Sequence, residues 1–572
     1  MSDCERPIRI LVAQMTRMGD VLQTSPLIRS LRTRHPDGHI AVMVRRMGKS
    51  IAECNPDIDE VLVYEEDTMF QDLKSGDSDR FLHAYETAGA YATTIRDGRY
   101  DVIYNCTHSF SSAILFAAAG APEVIGAHLS DDWRYVIRGR GPNYFFTSIL
   151  HREYNNLNLC DAFRFFLVDP PASQGLVMNV GEAVREQAHS ILREYGIADN
   201  DFLVCFQLGA SDKDKRWPVQ QFARLAGFLK EKYNAKIALL GVSAEAYLGQ
   251  EFERLAPGVA VPLFGKTSVP QLAEVLRRSR VLVTNDTGTM HIAAAMQCPI
   301  VLVSVGYVHF RETGPYGAGH IAIERRRSSV GRSDIRESIR SDEITPEQVL
   351  KAVELVVERE SSDAIPSIDD TPSFSDVDIY YSGFAPDGCL EWYPVVRRPM
   401  QELDFIRMTY RAMWLDFLSE RSEVTGESAA FTRMLACFDG DQHEALETWR
   451  NGMTEIMQKL VTGSNTGVQT SVSLLNVLRQ GESMKRAKAL VTELMDLDEQ
   501  LRLIGEVHRV GRPLVAIARF ERDNLEGADP VHLTRTTRGI YEDIHTRATL
   551  MIEKAHRIAQ LAQGESQNTA ST

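Results

Sequence analysis

Along the first 105 residues, short unbroken runs of aliphatic and β-branched side chains recur at 8–13, 40–44, 61–64 and 100–105, separated by amphipathic stretches. Runs without polar alternation mark strands covered on both faces, so the pattern predicts a parallel sheet sandwiched by helices. Between 65 and 97 the chain is more polar and contains Lys74-Ser75-Gly76-Asp77-Ser78-Asp79, which predicts a loop and then an amphipathic helix inserted into the alternation. A helical segment over 154–168 is stopped by Asp169-Pro170-Pro171, because the residue before a proline is barred from the helical region. A domain boundary is placed there.

The alternation then restarts, with strands expected at 202–208, 236–241, 281–285 and 299–306 and helices at 219–232, 269–278 and 289–296. After a helix over 345–359 comes an acidic stretch with Ser and Pro, the composition of a solvated linker. Beyond about 402 the pattern is helical. Leu490, Leu494, Leu497, Leu501 and Ile504 recur in steps of four and three, one apolar stripe on a long helix. Core packing in a bundle accounts for that stripe more simply than a dimerising coiled coil does. The expected architecture is α/β: a doubly wound domain over 1–170, a second over 171–360, a linker over 361–376 and a helical domain over 377–572. Ligands belong in the crevice at the carboxyl ends of the strands.

Composition narrows the function. At 572 residues the chain exceeds what one core sustains, and 44% hydrophobic with 25% charged residues excludes a disordered or collagen-like protein. A net charge of −15 repels nucleic acid, so no nucleic-acid partner is expected. Eight scattered cysteines without a CxxC pair read as reduced thiols, neither a disulfide framework nor a zinc site. The polar amino terminus, and the lack of any apolar run approaching about 18 residues, give the expectation of a cytoplasmic chain, neither exported nor anchored.

Four strand ends carry candidate chemistry. After the first strand, Gly19 permits a tight turn and Asp20 offers a carboxylate, either a general base or a helix N-cap. In Gly209-Ala210-Ser211-Asp212-Lys213-Asp214-Lys215-Arg216, small residues let a phosphate reach backbone N–H groups while Lys215 or Arg216 neutralises it, the alternative being a solvated charged loop. Asp286-Thr287-Gly288-Thr289-Met290-His291 opens a helix whose free N–H groups suit an anion, with His291 a ligand or a packed core histidine. Glu245 follows another strand and suits ribose hydroxyls.

In their joint order these motifs resemble glycosyltransferase family 9, the ADP-heptose:lipopolysaccharide heptosyltransferase family, from about residue 8 to 357. Phe264-Gly265-Lys266-Thr267-Ser268 and Pro299 belong to the same resemblance. It implies a GT-B fold, two Rossmann-like domains facing a cleft, the first binding acceptor and the second the nucleotide-sugar donor. It further implies Asp20 as catalytic base, Ser211 and Lys215 as donor phosphate ligands, Glu245 as ribose contact, and Asp286, Thr287, Gly288 and His291 as the donor and diphosphate site. Gly19 and Gly209 are the loop glycines.

The implied reaction is an inverting transfer of heptose from ADP-heptose to a lipopolysaccharide-core or related surface-glycan acceptor at the inner membrane face. No cofactor and no metal take part: Lys215 and the helix end carry the leaving diphosphate. Two departures stand out, Ala210 where some relatives have a hydroxyl residue, and basic and serine residues over 324–337 where some have cysteines. Rival readings are a nucleotide-sugar epimerase, a protein O-heptosyltransferase, and a nucleotide-sugar-binding scaffold without catalysis. The helical tail is expected to be a separable module serving homo-oligomerisation or partner capture.

Overall fold

The computed structural model describes residues 6–326, 343–358, 364–368, 372–421, 424–440, 442–481 and 483–569. The first sheet is built from β1 (Arg9–Gln14), β2 (His39–Arg45), β3 (Glu60–Tyr64), β4 (Val102–Asn105), β5 (Val124–Leu129) and β6 (Tyr135–Arg138). Its order is β3-β2-β1-β4-β5-β6, parallel except for the antiparallel edge strand β6. β1 is buried along nearly its whole length because both faces are covered, as its unbroken apolar run requires. The inserted segment forms two helices, Glu66–Lys74 and Ser78–Asp97, where the sequence reading had a loop and one helix.

The second sheet contains β7 (Leu203–Gln207), β8 (Lys236–Leu240), β9 (Ala260–Pro262), β10 (Val281–Thr284), β11 (Ile300–Ser304), β12 (Ile321–Arg325), β13 (Val377–Phe384) and β14 (Leu390–Pro394). Its order is β14-β13-β12-β11-β10-β7-β8-β9. β13 runs antiparallel to β12 and β14 antiparallel to β13, and the rest are parallel. In each sheet the strand order reverses beside the first strand of the unit, between β1 and β4 and between β7 and β10. These are the switch points where the loops diverge and leave a crevice.

The carboxyl-terminal region departs from the expected organisation. Residues 377–394 are strands of the second sheet and not the start of a helical domain. Part of the expected linker is packed as well: Ile368 is buried and bridges to Val396, and Phe374 is buried. The helix expected over 154–168 is confined to Leu159–Arg164.

From Glu402 the chain is helical, with Glu402–Ser419 followed by the long helices His443–Gln480, Met484–Val507 and Pro530–Thr569. The stripe on Met484–Val507 lies inward: Leu494, Leu497 and Leu501 are buried, and Leu497 and Leu501 approach Gly463 of the neighbouring long helix. It is core packing, as the sequence reading favoured over a dimerising coiled coil.

The helical region also grips the first domain. Arg138 pairs with Glu526 at 2.7 Å, Ile137 N–H donates to Asn524 Oδ1 at 3.0 Å, and Arg140 reaches Glu420 and Asp543. Beneath the β13–β14 turn, Asp161 accepts the Leu390 N–H at 2.9 Å and the Tyr316 hydroxyl at 2.6 Å and pairs with the buried Arg164. One continuous apolar cluster runs from Leu27 through Phe163 and Trp392 to Trp414 and Met551. A tail that completes one sheet and is bonded to the other is not a separable module.

Candidate active site

The candidate residues leave the sheets at the two switch points. The helix Met18–Gln23 follows β1, and Asp20 occupies its third position, not the N-cap. Its Oδ2 accepts the Arg17 N–H at 3.1 Å and the Thr16 hydroxyl at 2.8 Å, which fixes the carboxylate over the start of its own helix. Opposite lies the helix Gly288–Ala295, which follows β10. The two helix starts touch: a Cβ on Gly19 would stand 3.0 Å from His291 Cδ2, and one on Gly288 would stand 3.3 Å from Met18 Cε. A side chain at position 19 would crowd His291 of the second domain.

His291 is buried, and its Nδ1 has no hydrogen-bond partner among the described residues. Burial lowers its pKa, against the pull of Asp286 and Asp20, and keeps the imidazole neutral. Thr287 is the N-cap of the same helix in extended conformation, yet its hydroxyl caps nothing and is buried without a partner among the described residues. A helix start with uncapped N–H groups and two unpartnered polar side chains is arranged to receive oxyanions.

Lys215 reaches into this space from the loop after β7. Its Nζ lies 3.2 Å from Asp286 Oδ2 and 4.6 Å from the centre of the Tyr307 ring. Arg216, the alternative phosphate cation, points elsewhere: its guanidinium donates to the Ala210 carbonyl at 2.8 Å and to the Tyr247 hydroxyl at 2.7 Å. It braces the loop and leaves Lys215 as the cation at the site. Ser211 is exposed.

The loop contains an Asp-x-Asp sequence, Asp212-Lys213-Asp214. The Asp212 carboxylate is engaged by the Asp214 N–H at 3.1 Å and the Tyr307 hydroxyl at 3.0 Å. Those donors hold its pKa low, the backbone N–H foremost.

The space above Gly209 is not open to a phosphate. It is filled by Glu245, whose Oε1 would lie 1.9 Å from a Cβ on Gly209. Glu245 accepts the Val242 N–H at 3.2 Å and the Gln207 amide at 3.4 Å. Gly209→Ala is expected to displace this carboxylate, the flexible end of a side chain, and so spare the fold. With Glu245 as the ribose contact that the resemblance implies, losing about one hydrogen bond, ~0.5–1.5 kcal/mol, corresponds to a two- to tenfold rise in donor KM, read by initial-rate kinetics with the melting temperature as control.

Gln207 and Asn285 opened two of the sequence motifs without a role assigned to them, and His108 carried no sequence signal. Asn285 is fully buried; it accepts the Trp217 N–H at 2.9 Å and donates to the Leu208 carbonyl at 3.0 Å, latching the Lys215 loop to the end of β10. Gln207 accepts the Thr289 hydroxyl at 3.1 Å and so ties Glu245 to the helix start. After β4, His108 packs on Phe145 and Phe146 with ring centres at 4.4 and 4.7 Å. Desolvation lowers its pKa, and the charge of Asp20 acts the other way.

Two doubly wound units, with a cation, an uncapped helix start and a carboxylate at their switch points, give the chain the GT-B fold. Residues 89–333 match the family model for glycosyltransferase family 9 (heptosyltransferase). Over those residues the chain is similar to that family, and it is a glycosyltransferase.

Among its relatives are lipopolysaccharide heptosyltransferase 2 of Escherichia coli K12, 23% identical over 62% of this chain and 100% of the relative, and lipopolysaccharide heptosyltransferase 3 of the same strain, 22% identical over 50% and 78%. The crystal structure of the glycosyl transferase family 9 from Veillonella parvula DSM 2008 shares the fold, with 24% identity, TM-score 0.52 and coverage of 62% of this chain and 98% of that one. The family match ends at residue 333, before the tail begins. The positions expected in the cysteine-containing segment of some relatives fall mainly in 327–342, outside the described residues.

Proposed function

We propose that the chain transfers heptose from ADP-heptose to a lipopolysaccharide-core or related glycan acceptor, with inversion and without a metal ion. The observation that carries this reading is the approach of the helix start bearing Asp20 to the helix start bearing Thr287 and His291, with Lys215 paired to Asp286 beside the latter. As the glycosidic bond to the diphosphate breaks, negative charge grows on the leaving ADP. Lys215 and the Gly288–Ala295 N-terminus are fixed where they can stabilise it. Asp20 takes the proton of the attacking hydroxyl from the other side, and attack opposite the leaving group inverts the anomeric centre.

Similarity to both heptosyltransferase 2 and heptosyltransferase 3 supports the donor more strongly than any one acceptor position. No helix among the described residues is long and apolar enough to cross a membrane, so a lipid-linked acceptor would be met by surface docking.

The test is the full chain incubated with ADP-heptose and truncated core glycans, with product mass and ADP release followed in parallel. Transfer is expected to persist in EDTA; loss restored by magnesium or manganese would assign the Asp212-Lys213-Asp214 loop to a metal. Lys215→Ala is expected to weaken ADP binding about ten- to hundredfold, the ~1.5–3 kcal/mol of a charge-assisted contact, by calorimetry.

A further inference from the structure

Behind the donor loop, where the second sheet, the connecting segment and the tail meet, lies a partly enclosed cavity outside the cluster described above. It is lined by Arg152 and Asn155 of the connecting segment, by 308–311 after β11, by Glu324, Asp378 and Tyr380 of β12 and β13, and by Arg398 and 401–407 at the start of the tail helix. Tyr307, which stacks on Lys215, immediately precedes this lining.

The charges of the lining do not balance pairwise. Arg152 pairs with Glu312 at 3.1 Å, Arg311 with Glu324 at 3.4 Å, and Arg398 with Asp404 at 2.6 Å. The remaining carboxylate, Asp378, is held by Arg326 at 3.0 Å and lies 3.5 Å from Arg398. Arg407 is left over. Its Nε donates to the Glu153 carbonyl at 2.8 Å, and no carboxylate pairs with it among the described residues. Burial and the like charge of Arg311 both work against its cation, while Glu324 and Asp404 offset them in part.

Arg311 is itself immobilised, its guanidinium stacked on the Phe310 ring at 4.4 Å and the Tyr380 ring at 4.3 Å. Arg152 Nε and Arg398 Nε are buried without hydrogen-bond partners among the described residues. Two guanidinium groups line one hollow, Arg407 without a carboxylate partner among the described residues and Arg311 held against two rings and Glu324, a pair of forks suited to a tetrahedral oxyanion.

We propose that this cavity binds a phosphate-class oxyanion on Arg407 and Arg311. Because half of its wall comes from 378–407, the tail supplies a ligand site to the catalytic region. The site does not depend on the transfer reaction, and two sources share its chemistry: a phosphate substituent of the acceptor, or free phosphate acting as an effector.

The experiment uses the full chain saturated with ADP, so that the donor cluster is occupied, and titrates inorganic phosphate at constant ionic strength with chloride as control. The expected result is a saturable rise in melting temperature that is lost in Arg407→Gln, while the ADP-induced shift of that variant stays at the wild-type value. Should R407Q melt too early to read, Arg407→Lys keeps the charge but loses the fork. It is expected to weaken phosphate binding about tenfold or more, the loss of a hydrogen bond to a charged group.

No phosphate-specific shift in the wild type, or an equal shift in these variants, overturns the site. Loss of the ADP shift itself would instead count against the donor assignment. With phosphorylated and dephosphorylated acceptors, an R407Q defect in KM confined to the phosphorylated one identifies the acceptor as the source. An equal response of both to added phosphate identifies the free ion.

Discussion

Asp20→Asn is expected to lower kcat by about 10²–10⁴-fold, the range for removing a general base, with ADP affinity and melting temperature unchanged. The side chain makes two hydrogen bonds, and both fall on Oδ2. The amide oxygen of asparagine accepts the same Thr16 hydroxyl and Arg17 N–H, so the helix start keeps its cap. What is lost is the capacity to take a proton. Single-turnover measurements with saturating donor separate this from a binding defect. A variant within threefold of wild type would remove Asp20 from the reaction and leave His108 as the next group to replace.

The second large effect concerns the tail. A fragment ending at residue 363 is expected to be insoluble or aggregated, although the family match ends at 333. It would lose β13 and β14, which uncovers β12 as an unpaired apolar edge of the kind that recruits other chains. It would also leave the buried Asp161–Arg164 pair without the Leu390 N–H and strip Arg138 and the Ile137 N–H of their partners. Leaving a buried polar group without its partner costs about 1–3 kcal/mol each, so several such losses together are a large fraction of a typical domain's stability. Size-exclusion chromatography and ADP-dependent melting of 1–363 against the full chain decide the matter. A monodisperse fragment with full ADP affinity would show the tail to be dispensable.

These contrasts show what the sequence discloses. Runs such as 281–285 announce buried parallel strands because nothing polar interrupts them, and the motifs at their ends follow from that. The hairpin 377–394 was hidden: Asp378, Ser382 and Glu391 break the apolar pattern, and each is buried against partners far away in the chain, Asp378 by Arg326, Ser382 by the Gly317 carbonyl and Glu391 by Asn156 and Arg411.

The same limit applies in the site. Lys215 and Arg216 are neighbours of like charge, and only the three-dimensional course of the loop sends one to Asp286 and the other to the Ala210 carbonyl. Asn285 looks like the last residue of a strand until the carbonyls of the adjacent loop converge on its amide.

With Lys215 as the proposed diphosphate ligand, its pair with Asp286 would set the terms of donor capture. An incoming diphosphate does not meet a naked cation; it must evict a resident carboxylate. Capture is thus an exchange of counter-ions in which one pair is surrendered for another. Its affinity should fall with ionic strength less steeply than that of a site gaining a pair outright. On the way out the exchange runs in reverse: Asp286, fixed at the end of β10, is poised to reclaim the ammonium as ADP departs, so the group that weakens donor capture also speeds product release.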